Sequence, residues 1–197
     1  MATGRRDASV AAAPPPPEVD THAMPLETRP LTASDIPALQ AVMVDTPGYF
    51  DAIGAAQPDP HGRREAQAVL EELPPGKGAD DKVVLGLWLD GALVGCADMV
   101  IGYPRPEVAF VGLLLVAEGL QGCGLGTVAF GELARRAQAR GCERMRLGVA
   151  QGHAQAEHFW TRRGFSATGE VGRDLTGHSP RDILLFERPL RRAATRA

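Results

Sequence analysis

The passage from Phe110 to Arg140 most narrows what this chain can fold into. Phe110-Val111-Gly112-Leu113-Leu114-Leu115-Val116 is a continuous apolar run, too short to be read first as a helix, and it reads as a buried strand. Ala117-Glu118-Gly119-Leu120 leads from it into Gln121-Gly122-Cys123-Gly124-Leu125-Gly126, a turn largely stripped of side chains. An amphipathic helix is expected next, with Leu125, Val128, Ala129, Leu133 and Ala137 on one face and Glu132, Arg135, Arg136 and Arg140 elsewhere. Gly141 stands where such a helix is capped. A strand, a glycine turn and a helix start together form an anion site. The first N–H groups of a helix lack internal partners, and the helix dipole adds about half a positive charge there. Phosphate or pyrophosphate is the natural occupant.

Spacing separates the phosphate ligands. A P-loop ends in Gly-Lys-Ser/Thr, whereas this loop runs Leu125-Gly126-Thr127. A dinucleotide fingerprint begun at Gly122 meets Thr127 where its last glycine belongs. What fits is Q-x-x-G-x-G, from Gln121 through Gly124 to Gly126, which resembles the acetyl-CoA signature of the GNAT superfamily of N-acetyltransferases. Downstream, Arg144 to Val149 is a short strand candidate, and Ala156-Glu157-His158-Phe159-Trp160-Thr161-Arg162-Arg163-Gly164-Phe165 resembles the family's A-x-x-F-Y-x-x-x-G-F segment.

The resemblance implies an α/β (α+β) fold: a mixed, mostly antiparallel, twisted sheet of about six to seven strands flanked by helices. It also implies acetyl-CoA as cosubstrate, with no metal. The loop residues Gln121, Gly122, Cys123, Gly124, Leu125, Gly126 and Thr127 would hold the pyrophosphate. Leu114, Leu115 and Val116 would meet the pantetheine arm through backbone groups, between two central strands that splay apart. His153, Phe159 and Trp160 complete the expected coenzyme set.

Composition bounds the rest. The chain has 197 residues, enough for one domain with or without a tail, and its 44% apolar share supports a sizeable core. Net charge is −3, with no Lys/Arg block of the kind that tracks nucleic acid. Cys96, Cys123 and Cys142 suggest neither a metal motif nor a disulfide framework, so a reducing cytoplasm is the simplest home. Arg5-Arg6 is followed by no apolar segment, and no stretch reaches the ~20 apolar residues of a membrane helix.

Taken in order, residues 1–23 are low in complexity, with Pro14 to Pro17 in a row, and read as a flexible tail. The domain is expected over residues 24–190, with a second tail at 191–197. Leu26 to Leu31 reads as a first strand. Thr32 or Ser34 caps a helix carrying Ile36, Leu39 and Met43, with Pro37 in its first turn. Pro47-Gly48-Tyr49-Phe50 looks turn-like, and Arg64 to Leu73 helical, with Ala66, Val69, Leu70 and Leu73 on one face. Lys82 to Leu89, Asp90-Gly91 and Ala92 to Tyr103 form a hairpin pattern, with Gly86, Gly95 and Gly102 as candidate bulges. A parallel pair is expected between the Val111 and Met145 strands. Ser166 to Val171 and Ile183 to Arg188 read as closing strands around a polar loop containing His178.

Acetyl transfer to a primary amine by direct attack requires a neutral amine. Deprotonating a lysine-like amine at neutral pH costs about 4–5 kcal/mol. Glu107, at the entry to the central strand, and Asp98, on its neighbour, are the candidate bases. Tyr49 and Phe50, in a region that lines the acceptor site of the family, are candidate substrate contacts. Many family members protonate the departing thiolate with the tyrosine of the F-Y pair; here that position is Trp160, whose indole is not a useful acid. A common asparagine is likewise His153 here, and His153 or His158 is the alternative proton donor. A covalent route through Cys123 would need an adjacent base, and the sequence supplies none. The expected partner is a small-molecule or peptide amine, not nucleic acid or membrane, and a homodimer is in keeping with the resemblance. The rival reading is a non-catalytic acyl-CoA-binding sensor that kept the loop and lost the chemistry.

Overall fold

The computed structural model describes residues 26–174 and 181–190. The two expected tails, the first residues of the expected domain and the loop with His178 lie outside them. Seven strands form one sheet in the order β1-β2-β3-β4-β5-β7-β6. They are β1 (Leu26–Pro30), β2 (Lys82–Leu89), β3 (Ala92–Ile101), β4 (Val108–Val116), β5 (Arg144–Ala150), β6 (Ser166–Asp174) and β7 (Arg181–Pro189). Every neighbouring pair is antiparallel except β4 with β5. The helices are α1 (Ile36–Val44), α2 (Pro47–Ile53), α3 (Arg64–Glu71), α4 (Leu125–Ala139) and α5 (Ala154–Thr161).

Strand periodicity divides the core in two. Leu85, Leu87, Leu89, Ala97 and Met99 face Leu125, Ala129, Phe130 and Leu133 of α4 and Trp160 of α5. Val84, Cys96, Leu113 and Leu115 face the other way, onto Leu39, Val42 and Met43 of α1, Phe50 of α2 and Ala66 of α3. The sheet is therefore covered on both faces, and only a buried strand such as β4 can be apolar without alternation. On α4 the buried stripe runs through Phe130, while Val128 is 47% exposed. The buried face is thus displaced by one ridge from the expected one: positions 125, 129, 133 and 137 stack at four-residue spacing, and 130 rather than 128 flanks them. Gly141, at φ +81°, ends the helix, and Cys142 N–H donates to Ala137 O.

The segment at Pro47 is a helix, not the expected turn. Pro47 occupies the first turn, where a missing N–H costs nothing, and burial of Phe50 holds the helix to the sheet. Gly54, at φ +68°, closes it. The irregularities in the sheet also differ from expectation. The β2–β3 register slips at Val94, beside Gly95. The β3–β4 register slips between Asp98 and Met99, leaving Gly112 as the extra residue on β4. Gly86 keeps its register, and a Cβ there would meet Leu31, Trp88 and Leu93 within 2.8 Å, so it serves close packing rather than a bulge.

Candidate active site

The site begins where β4 and β5 part. Their parallel pairing runs only from Val108 opposite Arg144 to Val111 opposite Leu147. Beyond that point β4 continues to Val116 beside β3 alone, while β5 continues to Ala150 beside β7. The wedge that opens is lined by Gly112, Leu113 and Leu114 on one side and Gly148, Val149 and Ala150 on the other, with His153 and Trp160 closing it. Among the described residues the backbone groups of β4 on this edge have no strand partner, so they can pair with an extended ligand arm.

At the end of the wedge the chain makes the glycine turn. Gly122 and Gly124 hold φ near +81° and +87°, a region that side-chain-bearing residues avoid. Gly124 starts α4, and the Leu125 and Gly126 N–H groups make no hydrogen bond among the described residues. Gln121 Nε2 donates to Val116 O at 3.0 Å, folding the loop back onto β4. The Cys123 side chain is exposed, and its Sγ–H donates to the Gln121 carbonyl at 3.9 Å. Gly126 has a different reason for lacking a side chain: a Cβ there would lie 3.0 Å from the Phe159 ring and 3.4 Å from Leu114. Leu114, Leu115, Val116, Gln121, Gly122, Gly126, His153, Phe159 and Trp160 line one groove of about 290 Å³. Most of the residues read as coenzyme contacts are thereby brought together; Cys123, Gly124, Leu125 and Thr127 are not among the lining, and Thr127 Oγ1 accepts from Arg163.

Trp160 is buried among Phe159, Phe130 and Phe165, with ring centroids 4.9–5.9 Å away and edge-to-face geometry. It forms a wall of both the groove and the wedge. His153 stands at the start of α5 and lines both; His158 is exposed on the last turn and lines neither. Arg163 carries no motif signal in the sequence, yet it joins the site. It stacks on Phe159, 3.4 Å from the ring centroid, and donates to Phe159 O at 2.8 Å, tying α5 to the start of α4.

On the opposite face lies a second cleft, reached past Gly112 and bounded by α2, α3 and the surfaces of β3 and β4. Tyr49 of α2 lines this cleft, the wedge and the groove, alone among the lining residues in meeting all three. Its neighbour Phe50 is buried and reaches only the cleft. Glu118 Oε1 accepts the Gly48 N–H at 2.7 Å, holding the start of α2 against the groove.

The two candidate bases separate clearly. Asp98 is 7% exposed and lines the cleft. Lys82 Nζ donates to its Oδ2 at 3.0 Å, and its Oδ1 meets no partner among the described residues. A Cβ on Gly112 would lie 2.9 Å from Oδ2, so the glycine bulge makes room for the carboxylate. Burial pushes the Asp98 carboxyl up, and Lys82 only partly offsets it. Glu107 lies elsewhere. It precedes β4 at the end remote from the glycine loop, five residues and roughly 17 Å of strand from Gly112. Its side chain is 41% exposed, pairs with Arg105 at 2.8 Å and lines neither cleft, wedge nor groove. Its own backbone N–H and Arg105 hold its carboxyl below the ordinary range. Burial pushes the Cys96 thiol up to about 12, which removes it as a nucleophile. Among the described residues no three His, Cys, Asp or Glu side chains gather as a metal site, and no helix is long and apolar enough to cross a membrane.

A splayed parallel pair, a glycine turn and a helix start thus meet on one edge of the sheet. The acetyltransferase (GNAT) family model matches residues 48–165, more than half of the chain. The chain belongs to that family. An acetyltransferase from Thermus thermophilus is 30% identical, with 84% of this chain and 97% of that one covered at a TM-score of 0.65. The ribosomal-protein-S18-alanine N-acetyltransferase of Escherichia coli shares the fold at 17% identity, covering 87% and 98% at 0.59. So does the PaiA N-acetyltransferase of Thermoplasma acidophilum, solved with coenzyme A, at 17% identity, 84% and 99% covered and 0.61. No curated protein matches the chain.

Proposed function

We propose that this chain is an acetyl-CoA-dependent N-acetyltransferase that moves the acetyl group to a primary amine by direct attack. The observation that carries the reading is the wedge after Val111 and Leu147, which joins the glycine turn on one side to the Asp98 cleft on the other. Acetyl-CoA supplies the activated acyl group as a thioester. Helix α4 and the bare loop favour its pyrophosphate, and the open edge of β4 its pantetheine arm. Asp98 accepts the proton of the incoming ammonium, directly or through one water, at a carboxylate made more basic by burial. The N–C bond then forms as the C–S bond breaks; the sulfur leaves as thiolate, and the second proton of the nitrogen passes to it through solvent, giving the amide and the free coenzyme thiol. A thiol pKa of about 8.5 makes that departure feasible without an acid at Trp160. His153 is better placed than His158 to serve the wedge. The cysteines among the described residues are all free, in keeping with the proposed cytoplasmic location.

Steady-state thiol release from acetyl-CoA with a panel of primary amines tests the reading. Amine-dependent release is expected. Tight coenzyme binding with no release by any amine would instead support a non-catalytic acyl-CoA sensor.

A further inference from the structure

Resting on that reading of the same site, we propose that the acceptor is a primary amine on an apolar, ring-sized body that carries no carboxylate or phosphate. The cleft beyond Gly112 encloses about 490 Å³, and Phe50, Ile53, Val69, Tyr103, Phe110 and Leu113 supply its apolar walls. Tyr103 and Phe110 meet edge to face at 5.7 Å, a surface suited to another ring. The charged groups that line it are Glu65, Glu72, Asp98 and Lys82.

Among the described residues Lys82 is the single cation in that lining, and it is already committed. Its ammonium donates to Glu72 O at 2.8 Å and to Asp98 Oδ2 at 3.0 Å, with 9% of the side chain exposed. Glu65 is held in place by Gln40 Nε2 at 2.8 Å. An acceptor carboxylate would therefore enter a largely apolar cleft lined by three acidic residues, with no lining cation free to receive it. An unpaired charge there carries a large desolvation cost. An ammonium meets the opposite situation, because Asp98 lines the cleft and its buried Oδ1 has no partner among the described residues. An apolar cleft with one orienting polar group also describes small-molecule sites generally.

Phenethylamine, phenylalanine and spermidine discriminate the alternatives: a ring with an amine, the same ring with an added carboxylate, and a polyamine. Calorimetry with the full chain saturated by coenzyme A reads binding without turnover, and kcat/KM with acetyl-CoA reads transfer. Phenethylamine is expected to exceed the other two by at least about tenfold in both. Phe110→Ala and Tyr103→Ala, each checked for a native melting transition, are expected to lose most of that affinity. Equal or better use of phenylalanine or spermidine, no amine binding, or unchanged affinity in both variants would overturn the proposal. Transfer to phenylalanine would do so while leaving the transferase reading intact. Selective phenethylamine binding without turnover would overturn the transferase reading and, with it, the role of acceptor.

Discussion

The Lys82 ammonium lies 3.0 Å from Asp98 Oδ2, with both side chains buried, across the β2–β3 hairpin. The pair is asymmetric, since Lys82 has a second acceptor in Glu72 O while Asp98 Oδ1 has no donor among the described residues. Lys82 thus keeps a buried carboxylate ionisable, and burial keeps it basic.

That relationship sets a pH dependence. Asp98 acts when ionised, so turnover should fall as pH drops through its raised pKa. Asp98→Asn should lower kcat by about 10²–10⁴ and erase that acidic limb, with coenzyme affinity unchanged. Lys82→Met removes the interaction that holds the pKa down, so the limb should move to higher pH. A pH–rate profile of the three proteins checks both, and an unmoved limb in Lys82→Met would contradict the pairing.

Glu107 should prove dispensable. It is half-exposed, paired with Arg105 and not among the residues that line the cleft. Glu107→Gln is expected to leave kcat/KM and the pH profile at wild-type values, as measured by the same thiol-release assay. Loss of the acidic limb would restore it as the base.

Gly126 should separate bulk from charge. A Cβ at this position presses on Phe159 at 3.0 Å, so Gly126→Ala should weaken acetyl-CoA binding by displacing that ring. Gly126→Asp adds a like charge beside the pyrophosphate and should weaken it further. Calorimetry on folded variants is the measurement; wild-type-like affinity in Gly126→Asp would sink the loop assignment.

Trp160 should behave as a wall. Trp160→Phe leaves a gap among three rings and should cost stability, about 1–3 kcal/mol, while most activity remains. Trp160→Tyr places a phenol beside the wedge and should hold or raise the rate. Thermal melts with steady-state rates test both, and loss of all turnover in each would refute the wall.

The glycine loop, α4 and the segment ending at Phe165 are legible in the sequence because their signals are local. A strand, a turn that needs positive φ at Gly122 and Gly124, and a helix follow within thirty-odd residues. What is not legible depends on distant pairing. Gly112 inside an apolar strand hints at a bulge, but only the β3 register shows that the bulge lies against Asp98. Helix α2 reads as a turn because Pro47-Gly48 at its start resembles one; its support comes from Glu118, seventy positions on. Lys82 carries no local signal at all, since its role arises from Asp98 and Glu72 O meeting it in space.

Product analysis tests the central claim most directly. The full chain is incubated with acetyl-CoA labelled in the acetyl carbon and with phenethylamine and a set of other primary amines, and the label is followed by mass spectrometry. The account predicts label in an amide product, formed one for one with free coenzyme thiol and lost in Asp98→Asn. Coenzyme binding with no labelled amide from any amine, or label held on Cys123, would contradict it.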